Sequence, residues 1–264
     1  MPFSHHSHSG EFCPGHAQDS LEDVIKTAIS KKFNVFALTE HMPRHDQDRY
    51  PEETEAGATL ELQFRNEGNY FEKALGLRDK YRNQINMPIG FETDWCGPHS
   101  LALIQRSLRT YPFDFFIGSI HHSRSVPIDY DQAGYDLAKG AAGGTDERLF
   151  EEYFDEQLEM LNALHPPVVG HFDLIRLKSK DFNVDWQSMQ GVWSRILRNL
   201  DFVASYGGIL EINTAALRKG MNEPYPKSEI CQVRQRHSTS DMIASDNCLS
   251  IGISATKRAV LSVG

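Results

Sequence analysis

No apolar stretch in the chain approaches the ~18 residues that a membrane-spanning helix requires, so no membrane anchor is expected. The opening Met-Pro-Phe-Ser-His-His has no basic-then-apolar leader pattern, which makes the cytoplasm the expected compartment. Cysteine is scarce and scattered: Cys13, Cys96, Cys231 and Cys248 form no Cys-x-x-Cys pair, and four in a chain of this length are no disulfide framework. Positive charge is also short. With 27 basic against 36 acidic residues the formal net charge is −9, which argues against a sequence-independent nucleic-acid surface, because such binding works by neutralising phosphates with Lys and Arg. Internal repeats of solenoid length are absent.

What the chain has in plenty is material for a core, and histidine. Of 264 residues, 40% are hydrophobic and 24% charged, a balance that folds rather than stays disordered. One α/β barrel of about 250 residues would use the whole length as a single domain, 1–264. There are twelve histidines. His5, His6, His8, His16 and His41 all fall near the start, a density that points to metal or acid–base chemistry more than to packing.

Short apolar runs alternate with helical patterns. Leu21, Val24, Ile25, Ala28 and Ile29 recur at helical spacing behind Ser20 and Asp23, a start resembling a capping box. The spacing of Leu60, Phe64, Phe71, Leu75 and Leu77 predicts a second helix over 59–83. A third is expected at about 146–164, stopped by Pro166 and Pro167, and a fourth over 186–206. Between them, residues 34–39, 87–91, 113–118, 168–170 and 208–212 read as buried strands. Counting the first segment and one near 242–245 gives about seven. The glycines and proline within 123–145 suit an exposed loop. Alternation of this kind implies parallel pairing, with an open or distorted barrel as the expected closure.

Histidines and acids fall at the ends of these strands: His6 and His8, Glu40 and His41, Glu92 and Asp94, His121 and His122, His171 and Asp173, Glu211 and Asn213. In a parallel barrel all six positions meet at the C-terminal rim, where such folds build their sites. Nitrogen with carboxylate oxygen suits Zn, Mn or Fe rather than Mg or Ca. On an extended strand His6 and His8 share a side and can chelate one ion. The ligands are too many for one metal, so two or three divalent ions are expected, with Glu92 as the bridging carboxylate. Paired ions of this kind hydrolyse phosphate esters or amides by means of a bridging hydroxide.

The motifs His6-Ser-His8-Ser, Phe12-Cys-Pro-Gly-His16-Ala and Ala37-Leu-Thr-Glu40-His41 resemble the opening of the polymerase-and-histidinol-phosphatase (PHP) superfamily. Gly90-Phe-Glu92, Gly118-Ser-Ile-His121, Gly170-His171-Phe-Asp-Leu-Ile-Arg176 and Leu210-Glu-Ile-Asn-Thr-Ala-Ala-Leu-Arg218 are similar to its monofunctional fungal-type histidinol-phosphatases, over residues 1 to about 235. The resemblance implies a distorted (β/α)7 barrel, incomplete at its C-terminus if the tail diverges, with a trinuclear site. The first ion would take His6, His8, Glu92 and a late aspartate, Asp246. The second would share Glu92 and add His121 and His171, and the third would take His16, His41 and a final histidine. Glu92, His121, His171 and Asp246 would form the catalytic set. The implied substrate is a small phosphate monoester, L-histidinol phosphate.

The chain departs from the family at that final histidine. Ser245-Asp246-Asn-Cys248 places cysteine there, and residues 236–264 read as an atypical tail. A thiolate can bind zinc, so a hybrid third site is one outcome. The rival readings are a PHP phosphoesterase with another substrate, and a metal-binding but catalytically impaired product. Arg218 and Arg176, with Lys219 and Lys178, supply positive charge after the strands, either for phosphate or as a solvated patch. Glu40 either orients His41 or begins a loop. Glu211 and Asn213 are expected to brace the rim. Cys13 reads as a small packed residue, and His5, His45, His99, His165 and His237 as structural or surface groups, with His122 set apart as the neighbour of an expected ligand.

Overall fold

A computed structural model describes residues 3–14, 17–237 and 260–262. Its architecture is α/β with parallel strands. β1 (Phe3–Ser4) pairs with β2 (Val35–Phe36), and β3 (Leu38–His41) follows after one residue. β3 pairs with β4 (Ile89–Glu92), β4 with β5 (Phe115–Gly118), β5 with β8 (Val168–Val169), and β8 with β9 (Ile209–Asn213). β10 (Val260–Ser262) pairs with β9, and β1 lies beside it. All these pairs are parallel, so the strands deliver their C-terminal residues to one end of the sheet. Residues 242–245, read as a seventh strand, lie outside the described residues.

Several helices begin where a side chain satisfies one of their first N–H groups. Ser20 accepts from the amide of Asp23 to start α1 (Leu21–Ser30), and Thr59 from that of Leu62 to start α3 (Leu60–Tyr81). Thr145 does the same for α6 (Asp146–Leu164), which ends with His165 left-handed at φ 44° ahead of Pro166, whose ring disfavours further helix. The short α2 (Pro51–Glu55) and α4 (Leu101–Thr110) were not among the expected helices, although Pro51 opens α2 and Leu101, Ile104 and Leu108 recur at helical spacing in α4.

The expected loop at 123–145 is instead a β-hairpin, β6 (His122–Ser123) with β7 (Val126–Pro127), followed by α5 (Gln132–Ala141). Two glycines, Gly134 and Gly140, lie inside α5 and give it the composition of a loop. Asp131 caps the helix, and burial of Tyr135 and Ala138 outweighs the roughly 1 kcal/mol that each glycine costs. α7 (Gln190–Ser205), α8 (Ala215–Arg218) and α9 (Ser228–His237) complete the helices. No helix among the described residues is long and apolar enough to cross a membrane.

The larger core cluster lies among α5, α6, α7 and the sheet, with Phe150, Phe154, Leu161, Trp186 and Ile196 fully shielded. It reaches the strand ends through a polar chain. The Asn199 amide on α7 donates to Gln157 Oε1 on α6 at 3.1 Å, and Gln157 donates to the Phe172 carbonyl at 2.9 Å, next to His171. Phe154 packs against both Phe172 and Trp186. At Gly90 a β-carbon would meet the Phe115 carbonyl at 2.7 Å, so only glycine lets β4 approach β5 this closely two residues before Glu92.

Truncating Phe154→Ala leaves a cavity between α6 and the sheet and is expected to cost about 3–5 kcal/mol of stability, read as a lower midpoint in urea unfolding.

Candidate metal centre

Register decides which side chains meet. His41 and Glu92 are paired across β3 and β4, and Val169 faces Leu210, which sets Glu211 beside the start of the loop after β8. Glu92 stands at the middle and is buried. Its Oε2 faces His6 Nε2 at 3.1 Å, His8 Nε2 at 3.2 Å and His41 Nδ1 at 3.3 Å. Its Oε1 faces His171 Nε2 at 2.9 Å and His121 Nε2 at 3.4 Å. One carboxylate thus divides five imidazoles into two groups.

The nitrogens converge tightly. His6 Nε2 and His8 Nε2 are 3.0 Å apart, and His121 Nε2 and His171 Nε2 3.2 Å apart. Two nitrogens on one zinc at about 2.0–2.1 Å each, in tetrahedral geometry, stand about 3.4 Å apart, close to these separations. The donor set therefore fits a divalent cation on each side of Glu92. Three-ligand groups form from His6, His8 and Glu92, and from Glu92, His121 and His171.

A third group joins His8, Cys13 and His41, one ligand atom of each within 4.8 Å of the others. The sequence treated Cys13 as packing; the turn at 10–14 folds it back towards His41. Two other residues expected around these ions, His16 and Asp246, lie outside the described residues, as do Ser245 and Cys248.

Behind the imidazoles stand further carboxylates. Glu211 Oε1 lies 2.9 Å from His6 Nδ1, and Glu211 Oε2 accepts the His171 amide at 2.8 Å. Asn213 donates to Glu211 Oε1 at 3.2 Å, so the pair braces the rim as expected. Glu40 does not orient its neighbour His41. Adjacent residues on a strand point to opposite faces, and Glu40 accepts from the Ser9 amide and hydroxyl at 2.8 and 2.7 Å, with Oε2 3.6 Å from His8 Nδ1. Asp94 takes His121 Nδ1 and His122 Nδ1 on one oxygen, both at 3.3 Å, and Arg44 on the other.

These contacts set the charge states. Burial by itself disfavours the His6 imidazolium, but Glu92 and Glu211 outweigh it and raise the pKa to about 10. Burial likewise opposes ionisation of Glu92 and Asp94, yet His6, His121 and His41 around Glu92, and His122, Arg44 and His121 around Asp94, hold both well below the ordinary carboxylate range.

A cavity of about 440 Å³ opens over the cluster, lined by His6, His8, Glu92, His121 and His171 and by Arg218, Lys219, Asp129, Tyr50 and Tyr130. A larger cavity of about 690 Å³ touches the cluster at Cys13 and His41 without reaching Glu92. The smaller one holds both faces of Glu92, with the side chains of Arg218 and Lys219 in its wall.

Arg218 lines this cavity, whereas Arg176 does not. Arg176 is completely buried, donating to Asp173 Oδ2 at 3.1 Å and to the carbonyls of Phe182, Glu223 and Pro224, with Tyr225 stacked on its guanidinium. Asp173, another strand-end acid, also accepts from Trp186 Nε1 at 3.2 Å and from the Lys227 amide at 3.2 Å; it anchors the loop after β8 rather than a metal. Tyr50, Asp129 and Tyr130, which also line the cavity, sit on connecting segments with no periodic pattern that would mark them in the sequence.

The chain matches the family model described as the PHP domain over residues 4–215. It is 40% identical to a Schizosaccharomyces pombe protein named a probable histidinol-phosphatase, covering 94% of this chain and 80% of that protein. It is 31% identical to the histidinol-phosphatase of Saccharomyces cerevisiae, covering 92% and 82%. Among solved structures it is similar to a Listeria monocytogenes protein described as a putative histidinol phosphatase, with TM-score 0.78, 24% identity, and 93% and 94% of the two chains covered. It also resembles the Lactococcus lactis histidinol phosphate phosphatase solved with zinc, L-histidinol and phosphate, with TM-score 0.62, 21% identity, and 80% and 73% covered.

Two outcomes follow from this geometry. Because His6 in the metal-free protein holds a proton up to about pH 10, zinc binding at pH 8 is expected to release protons, read as a dependence of calorimetric heat on buffer ionisation enthalpy. Arg176→Ala, which strands the buried Asp173, is expected to lose about 3–5 kcal/mol of stability in urea unfolding.

Proposed function

We propose, from the premise that this chain belongs to the PHP-domain family, that it hydrolyses L-histidinol phosphate to L-histidinol and phosphate with two or three divalent ions. The observation that carries the proposal is Glu92, whose two oxygens face two separate sets of imidazoles. A single structural zinc site has no use for a carboxylate shared in this way, whereas a pair of cations acting on one phosphoryl group does. The nearby relatives named for histidinol-phosphatase activity supply the identity of the alcohol.

The residues divide the work. His6, His8 and Glu92 would hold one cation, and Glu92, His121 and His171 a second. His8, Cys13 and His41 offer a third position, to which His16 would add, while Asp246 would complete the first, as the family's pattern implies. Imidazole, carboxylate and thiolate together suit zinc, with manganese or iron as the alternatives where the thiolate is not used. Bound there, the cations supply Lewis acidity and a nucleophile formed from water at neutral pH.

The protein positions and neutralises. Arg218 and Lys219, at the mouth of the cavity, meet the dianionic phosphate and offset charge that grows on its oxygens during transfer. Glu211 and Asp94 hold the Nδ1 side of His6 and His121, so that Nε2 of each faces Glu92. The buried floor keeps bulk water from Glu92, which strengthens each electrostatic contact there.

The test is phosphate release from L-histidinol phosphate by chelator-stripped protein reloaded with zinc or manganese. Turnover is expected only after reloading, and Glu92→Gln is expected to lower it by at least about 10²-fold. Arg218→Ala is expected to raise KM by about 10–100-fold, the equivalent of one lost charge-assisted bond. Two ions bound per folded chain with no turnover would overturn the proposal, and faster turnover of another monoester would reassign the substrate.

A further inference from the structure

We propose that Asp94 is a positioning residue that fixes the tautomer and aim of His121 and so sets cation affinity on one side of Glu92 only. A carboxylate can only accept hydrogen bonds. His121 and His122 both present Nδ1 to Asp94 Oδ1 at 3.3 Å, so each carries its proton on Nδ1. For His121 this leaves Nε2, beside Glu92 Oε1 and His171 Nε2 at 3.4 and 3.2 Å, as the atom that would offer its lone pair to a cation. For His122 it leaves Nε2 buried with no hydrogen-bond partner among the described residues, so its polar tie is to Asp94.

Asp94 is itself immovable. Its second oxygen accepts from Arg44 Nε at 2.5 Å, and Arg44 is held in turn by Glu53 and lies under the Tyr50 ring. Arg44, Asp94 and His122 are all buried, so the chain Glu53–Arg44–Asp94–His121 forms a rigid strut from α2 to the cluster. His6 does not share it, because its Nδ1 is held by Glu211 from β9. The two sides of Glu92 therefore have separate supports.

The inference rests on the reading that Glu92, His121 and His171 hold a cation, and not on the identity of the substrate. Zinc affinity of the full chain is measured by competition with a chromophoric chelator. Asp94→Asn is expected to weaken one class of zinc site by 10–100-fold, the usual cost of losing such support, and to leave the other class unchanged. In a His121→Ala background the same substitution is expected to add nothing, since it acts through that ring.

Loss of stability in Asp94→Asn with both zinc affinities intact would overturn the proposal, as would additive losses in the double variant. Zinc binding unaffected by His121→Ala would overturn the underlying reading as well. Should Asp94→Asn not fold, nitrogen spectra of histidine-labelled, zinc-loaded wild-type protein decide the matter: a proton on His121 Nδ1 supports it, and a proton on Nε2 overturns it.

Discussion

The structure depends on a single buried carboxylate. Glu92 is surrounded by five imidazoles and withdrawn from water, an arrangement that would be costly for an isolated charge. It is tolerable because cations, whether protons or metal ions, share its two oxygens. Everything that places the strand ends, from the close approach at Gly90 to the parallel register of β3, β4 and β5, serves to deliver these groups to one point.

The supports behind the imidazoles come from different parts of the chain. Glu211 rises from β9, Glu40 from β3, and Asp94 from the segment after β4. Each faces an Nδ1 atom, and in each of these three rings Nε2 faces Glu92. Distributing the supports ties the cluster to the whole sheet. Local fraying of one loop then moves one ligand without dissolving the site. The polar chain Asn199–Gln157–Phe172 extends the same principle to His171, whose position is coupled to the packing of α6 on α7.

Much of the site was legible in the sequence, because ligand type and strand-end placement are local properties. His6-Ser-His8 and the His41, Glu92, His121 and His171 positions follow from short apolar runs ending in polar groups, and they converge as expected. The carboxylates behind them were harder to read. Glu40, Asp94, Asp173 and Glu211 look alike in a string of letters, yet one supports His8, one His121, one a loop, and one both His6 and His171. Arg176 and Arg218 likewise both follow a strand. Burial under Tyr225 makes the first a structural tie, while the second stays at the cavity mouth. The glycines of α5 show the same limit for secondary structure, since a buried Tyr135 outweighed them.

By itself, then, the sequence determined which chemistry was available: imidazoles and acids spaced so that parallel strands must bring them to one end, in a chain with no long apolar run. The tertiary structure alone decided how those groups are shared out, which oxygen faces which nitrogen, that Cys13 reaches His8 and His41, and which arginine meets solvent. The division has a physical cause. Periodicity and residue type act over a few neighbours along the chain, whereas tautomer, charge state and exposure are fixed by contacts between segments tens to hundreds of residues apart, such as the 205-residue separation of His6 from Glu211.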